Sequence, residues 1–180
     1  ITGVASSAVA ASVSQVAQSY RVPYWICPAA SADLTEDPKF NPYVFRAGRN
    51  SWHDSLATAY YYGGEVGIEN VAFLAADYSF GYEGVKTATQ AFQDYGVQVV
   101  AVEYAPLDTQ NFDPYIERIR AKNPDRVFWT WAGSFGPIYR AFEDAGLTDK
   151  LLGSVIDLYT MNYTNFVAAP GVWENVQGLC

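Results

Sequence analysis

Apolar positions along this chain change their period several times, and each change marks an element. Val71 to Ala76 is a short, wholly apolar run, as a strand covered on both faces requires. From Gly84 to Tyr95 the period lengthens, so that Val85, Ala88, Phe92 and Tyr95 share one helical stripe while Lys86, Gln90, Gln93 and Asp94 lie elsewhere. Gly96 stops that helix by allowing positive φ at little steric cost. Val97 to Tyr104 is then a second β-branched run. A parallel pair needs a crossover of this length, so the stretch predicts a right-handed βαβ unit. The loop Asp77 to Gly81 leaves the carboxyl end of its first strand, where open α/β sheets bind ligands.

The same rhythm extends in both directions. Residues 6 to 21 carry Val9, Val13, Val16 and Tyr20 at helical spacing behind Ser6-Ser7, which predicts an amphipathic helix with a serine N-cap. Val22 to Cys27 reads as a strand, and the loop Pro28 to Asp33 lies at its carboxyl end. Tyr43 to Gly48 is a strand or an extended crossover. Trp52 to Tyr62 predicts a helix with Trp52, Leu56, Ala59 and Tyr60 on one side, closed by Gly63-Gly64. Further strands start near Arg126 and Leu151. Helices over Phe112–Lys122, capped by Asp113 with Pro114 in its first turn, and over Pro137–Ala145, ended by Gly146, precede and separate them. The break in rhythm near residue 49 predicts two lobes: residues 1–48, then 49–171, with 172–180 returning toward the first. Residues 1–48 alone supply too little for an independent core.

Composition narrows the function classes. With 180 residues, 50% of them hydrophobic and 17% charged, the chain can bury one substantial core or two small ones. A formal net charge of −8 leaves no basic face for a phosphate backbone, which argues against nucleic-acid binding. No apolar run approaches the roughly 20 residues of a membrane span. The opening ITGVASS reads like the interior of a protein. Cys27 and Cys180 are too few and too far apart for a metal or redox motif, and they read either as buried free thiols or as a disulfide pair. Aromatic residues make up 16% of the chain, and such side chains fill cores and also line ligand clefts.

Catalytic chemistry finds no constellation. The single histidine, His53, has no carboxylate or cysteine partners at metal-ligand spacing and reads as part of a helix start. GxSxG, a phosphate loop and GxGxxG are all missing, and Ser134 in GSFG has no histidine partner. The pattern calls for no cofactor and no metal. An anion site is the one chemical feature it offers: the hydroxyl-bearing N-terminus of the first helix, around Ser7, suits a carboxylate.

Taken together, SSAVAASVSQVAQSYRVPYWICPAASADLT, NPYVFRAGRNSWHDS, VAFLAADYSFGYEG and NFDPYIERIRAKNPDRVFWTWAG resemble, in collinear order over nearly the whole chain, the periplasmic solute-binding proteins of branched-chain amino acid ABC transporters. The resemblance implies an α/β fold of two doubly wound parallel-sheet lobes, the type I arrangement, with the first lobe incomplete in this chain. It implies no enzyme but a periplasmic or extracellular receptor, lipid-anchored in some full-length forms. Such a receptor closes on a small carboxylate, an amino acid or aromatic acid, and delivers it to a membrane permease. By position, Ser7 and Ser31 match the anchors of the ligand carboxylate, with Ala29 supplying a carbonyl and Ala30 beside it. Phe80 stands where the family usually has a tyrosine, with Tyr78 as its candidate replacement. Phe135 falls in the second contact loop, and Asp157 near the acidic partner of a ligand ammonium. A ligand sensor of the same fold is the alternative; an α/β enzyme lacks an acid/base pair to support it.

Overall fold

Two separate parallel sheets organise the chain, whose computed structural model describes residues 1–36 and 40–153. The first sheet has the order β1-β2-β3, from Thr2–Gly3, Tyr24–Ile26 and Val44–Arg46. Thr2 lies beside Trp25, and Trp25 beside Phe45. At two residues, β1 is too short for a periodicity argument, and sequence reading missed it. Helix α1 (Ser7–Tyr20) connects β1 to β2, with Ser6 as N-cap accepting from the Val9 N–H at 3.5 Å.

The face that α1 buries differs from the expected one. Val9 and Val16 are 48% and 49% exposed and Tyr20 76%, whereas Ser7, Ala10 and Ala17 are buried. Small side chains let the helix backbone approach the sheet, so close packing outweighs the larger transfer energy of the valines. Trp25 and Phe45 stack at 5.3 Å on the other side of the sheet, each 46% exposed.

The second sheet has the order β5-β4-β6-β7, all parallel: β4 Asn70–Ala76, β5 Gln98–Ala105, β6 Arg126–Thr130 and β7 Leu151–Gly153. Around it run α2 (Ser51–Ala59), α3 (Ser79–Gln93), α4 (Asp113–Arg120) and α5 (Phe135–Asp144). The apolar run in β4 resolves into two alternating faces. Val71, Phe73 and Ala75 pack with Val85, Ala88 and Phe92 of α3, while Ala72, Leu74 and Ala76 pack with Ile116 and Ile119 of α4 and Ile138 and Phe142 of α5. The chain passes from β4 outward to β5, then returns to β6 on the other side. This is the doubly wound α/β class expected, and its switch point lies between the carboxyl ends of β4 and β6.

Glycines explain two corrections. Helix α3 starts at Ser79, five residues before the expected Gly84. A Cβ on Gly81 would sit 1.8 Å from the Ala76 carbonyl oxygen, and one on Gly84 2.3 Å from Thr130 Cγ2. Both are helix residues pressed against the sheet. Likewise Gly63-Gly64 does not close α2, which continues as a π-helical segment over Tyr60–Val66, packs its glycines on the Tyr95 ring, and ends at Gly67 with φ 74°. The buried face of α2 is also shifted: Ser51, Asp54, Ser55, Thr58 and Ala59 are inside, with Leu56 and Tyr60 of the expected stripe exposed. Their polar atoms are satisfied. Ser55 Oγ and Thr87 Oγ1 lie 2.8 Å apart, Thr58 donates to the Asp54 carbonyl, and Asp54 pairs with Arg49. In α4, Asp113 is the first helical residue and not the cap, its N–H bound by the Asn111 side chain at 2.9 Å. Cys27 is an exposed thiol. Cys180, Asp157 and the expected return run 172–180 lie outside the described residues.

Candidate functional site

The loop after β2 is held from several sides. Within 29–32, the Ala29 N–H donates to the Val4 carbonyl at 3.2 Å, the Ser31 N–H to Ser7 Oγ at 3.2 Å and the Ala32 N–H to Ser51 Oγ at 3.2 Å. Its carbonyls are engaged as well. Arg46 donates to Ala29 at 2.7 Å and to Ser31 at 2.6 Å, and the Ser51 N–H at the start of α2 donates to Ala30 at 2.9 Å. Arg46 also reaches Thr35 Oγ1 and the Arg49 carbonyl at 3.3 Å each. A planar guanidinium offers five donors in a fixed fork, which is why one side chain on β3 can hold two turns of backbone. Burial lowers its pKa, opposed by the negative charge of Glu36.

Beyond this loop opens a cleft of about 180 Å³. Ala5, Pro28 and Ala30 line it from the first sheet, and Tyr78, Phe80, Trp131, Ala132 and Phe135 from the second. All follow the carboxyl ends of β1, β2, β4 and β6, so the cleft faces the switch point of the second sheet. Tyr78 and Phe80 lie 6.1 Å apart, and Phe135 packs edge-on to Trp129 at 5.4 Å. The Trp131 indole donates to the Ser134 carbonyl at 3.1 Å, leaving its ring as a wall. Burial raises the Tyr78 pKa, so the phenol keeps its proton and can donate. Helices α3 and α5 both begin at this wall, with N-caps Tyr78 and Ser134 that make no side-chain cap bond and first turns without an acidic residue. Their first N–H groups give the wall a positive end. Apart from the Tyr78 phenol, no described lining side chain is an acid, a base or a nucleophile.

Of the residues singled out from the sequence, Ala30, Tyr78, Phe80 and Phe135 line the cleft together. Ser7, Ala29 and Ser31 are buried directly behind it, bonded within the loop clamp. Asp157 is outside the described residues. Sequence reading passed over Ala5, Pro28, Trp131, Ala132 and the clamp residues Arg46 and Ser51. Trp131 was within reach: it is an aromatic residue just past a predicted strand, as Tyr78 is after Val71 to Ala76. His53 serves the start of α2, its Nδ1 accepting from the Asn50 N–H at 3.0 Å while Asn50 Oδ1 accepts from the Trp52 and His53 N–H groups.

Known proteins share this fold. A Leu/Ile/Val-binding protein homologue of Brucella melitensis is 27% identical over 171 residues, which is 94% of this chain and 42% of the relative. A solute-binding protein of an R. palustris ABC transporter, solved in complex with 4-hydroxybenzoate, is 27% identical with a TM-score of 0.76, matching 85% of this chain and 42% of that one. An ABC-type branched-chain amino acid transporter structure from Rhodopseudomonas palustris is 28% identical with a TM-score of 0.65, over 84% of this chain and 42% of that one. The chain thus spans 42% of the length of the curated relative it matches. The family model for periplasmic binding proteins matches residues 1–175, so the chain belongs to the periplasmic binding protein family.

Proposed function

We propose that the protein containing this chain is an extracytoplasmic solute receptor of an ABC importer that closes two lobes over a small aromatic carboxylate. The observation that carries this reading is the cleft, with small residues and backbone on one wall and Tyr78, Phe80, Trp131 and Phe135 on the other. A cavity of about 150 Å³ suffices for one benzene ring, so about 180 Å³ suits a single substituted ring. The free N–H groups at the starts of α3 and α5 suit the carboxylate, and the Tyr78 hydroxyl a ring substituent. The 4-hydroxybenzoate held by the R. palustris relative supports the same ligand class. The division at residues 1–48, 49–171 and 172–180 completes the proposal, residues 47–50 acting as a hinge. Delivery to a membrane permease in the periplasm follows from the family role.

An amino acid is the second reading, favoured by the names of the Brucella and branched-chain relatives. A buried ammonium needs an acidic partner, and the described lining residues include no acid. Calorimetric titration of the intact protein with 4-hydroxybenzoate and with L-leucine separates the two. The aromatic reading expects micromolar or tighter binding of the benzoate and at least about tenfold weaker binding of leucine. The reverse order returns the ammonium site to Asp157.

A further inference from the structure

Both walls of the cleft lead back to one buried seam between α2 and α3. On the loop wall, the Ala30 carbonyl accepts from the Ser51 N–H at 2.9 Å and Ser51 Oγ accepts from the Ala32 N–H at 3.2 Å, so the loop is tied to the first residue of α2. On the aromatic wall, Phe80 lies in the first turn of α3, and Thr87 follows about two turns further along the same helix. Where α2 meets Thr87, the groups in contact are polar. Thr87 Oγ1 lies 2.8 Å from Ser55 Oγ, 3.1 Å from the carbonyls of Glu83 and Gly84, and 3.3 Å from the carbonyl of Ser51. Ser51, Ser55 and Thr87 are all buried. Helix α3 has no room to yield toward its sheet, because Gly81 and Gly84 already seat its backbone on the Ala76 carbonyl and on Thr130, the residue before Trp131. A close-packed contact passes a change in volume to whatever can move. Here that is the start of α2, and Ala30 with it.

We propose that Ser55 and Thr87 form a spacer that sets the distance between the two walls of the cleft, and through it the size of aromatic acid that the cleft accepts. The inference rests on the aromatic-carboxylate reading above and names what the site selects within that class, single rings over fused pairs. Neither residue lines the cleft. Both are positioning residues that act through Ser51 and the Ala30 carbonyl it holds. A methyl added to the seam moves the Ala30 wall away from Phe80, and a methyl removed lets it approach. The Thr87 hydroxyl has backbone acceptors on its own helix, so volume can be changed without leaving it unbonded.

The test exchanges volume across the seam in the intact protein. Ser55→Thr adds one methyl and keeps the hydroxyl, Thr87→Ser removes one methyl and keeps the hydroxyl, and the double exchange restores the total. Calorimetric titration reads the Kd for 6-hydroxy-2-naphthoate relative to that for 4-hydroxybenzoate, and crystal structures read the distance from Ala30 Cα to Phe80 Cα. Ser55→Thr should lengthen the distance and lower the Kd ratio at least about fivefold, with Thr87→Ser moving both the other way and the double exchange returning both toward wild type. Thr87→Ser serves alone if Ser55→Thr folds poorly. A folded single variant that keeps the wild-type distance overturns the spacer, as does one that binds both acids in the wild-type ratio, or a double exchange that keeps a single variant's shift. A distance that follows seam volume in a protein that binds neither acid supports the spacer and refutes the ligand reading alone.

Discussion

The two sheets are held together by different means. In the second, β4 is enclosed between β5 and β6 and covered by helices on both faces, so its shape rests on packed apolar volume. In the first, the strands are two or three residues long, the buried helix stripe is Ser7, Ala10 and Ala17, and two aromatic rings stand half in solvent. Its form near the cleft rests instead on directed hydrogen bonds to Arg46, Ser7 and Ser51. Volume is tolerant of small shifts and fork geometry is not. The loop wall of the cleft is therefore fixed by bonds, and the aromatic wall by packing.

Substitutions in each half can break that contrast. The largest effect is expected from Phe73→Ala, which empties a fully buried site between Phe92 and Phe128 and should cost about 3–5 kcal/mol in urea denaturation. A loss under about 1 kcal/mol would mean the second sheet does not depend on volume. Arg46→Ala comes next, at about 1.5–3 kcal/mol, since its bonds carry a charge. Arg46→Lys should recover less than half, because an ammonium cannot span both carbonyls; full rescue would reduce the fork to a simple charge. For Ser7→Ala the expected loss is about 0.5–1.5 kcal/mol, one neutral bond to the Ser31 N–H, together with a weaker Kd for 4-hydroxybenzoate. An unaltered Kd would confine Ser7 to holding the loop. Smallest is Trp25→Ser on the exposed face, within about 0.5 kcal/mol; a cooperative loss of several kcal/mol would show that this face carries the first sheet.

Where a buried face is large and apolar, the sequence announces it. Val71 to Ala76, Val85, Ala88 and Phe92 were legible for that reason, and the cleft lies at the carboxyl ends of the strands so read. In α1 and α2 the buried faces are mostly alanine, serine and threonine, to which hydropathy is nearly blind, so of the two expected stripes only Ala59 is fully buried and Val13 packs partly on the core, while Val9, Val16, Tyr20, Leu56 and Tyr60 face out. Arg46 escaped notice because its acceptors are backbone carbonyls, which no side-chain pattern marks. Ser7 and Ser31 were picked out as a pair, and the structure joins them to each other. The start of α3 was misjudged because Gly81 and Gly84 look like loop residues until the Ala76 carbonyl and Thr130 are seen against them.

Trp131 gives the cleft an optical property. Its indole N–H is tied to the Ser134 carbonyl while its ring forms part of the wall, only 4% exposed, so the excited state of this one chromophore senses whatever enters. Trp129 is sealed in the core, and Trp25 stands in solvent, where acrylamide reaches it. With Trp25 quenched in this way, Trp131 emits beside Trp129, the partly buried Trp52 of α2 and Trp173, which lies outside the described residues, and comparison with Trp131→Phe isolates its signal as a gauge of occupancy. An aromatic acid stacking against that wall would dim the wild-type emission and leave that of Trp131→Phe unchanged.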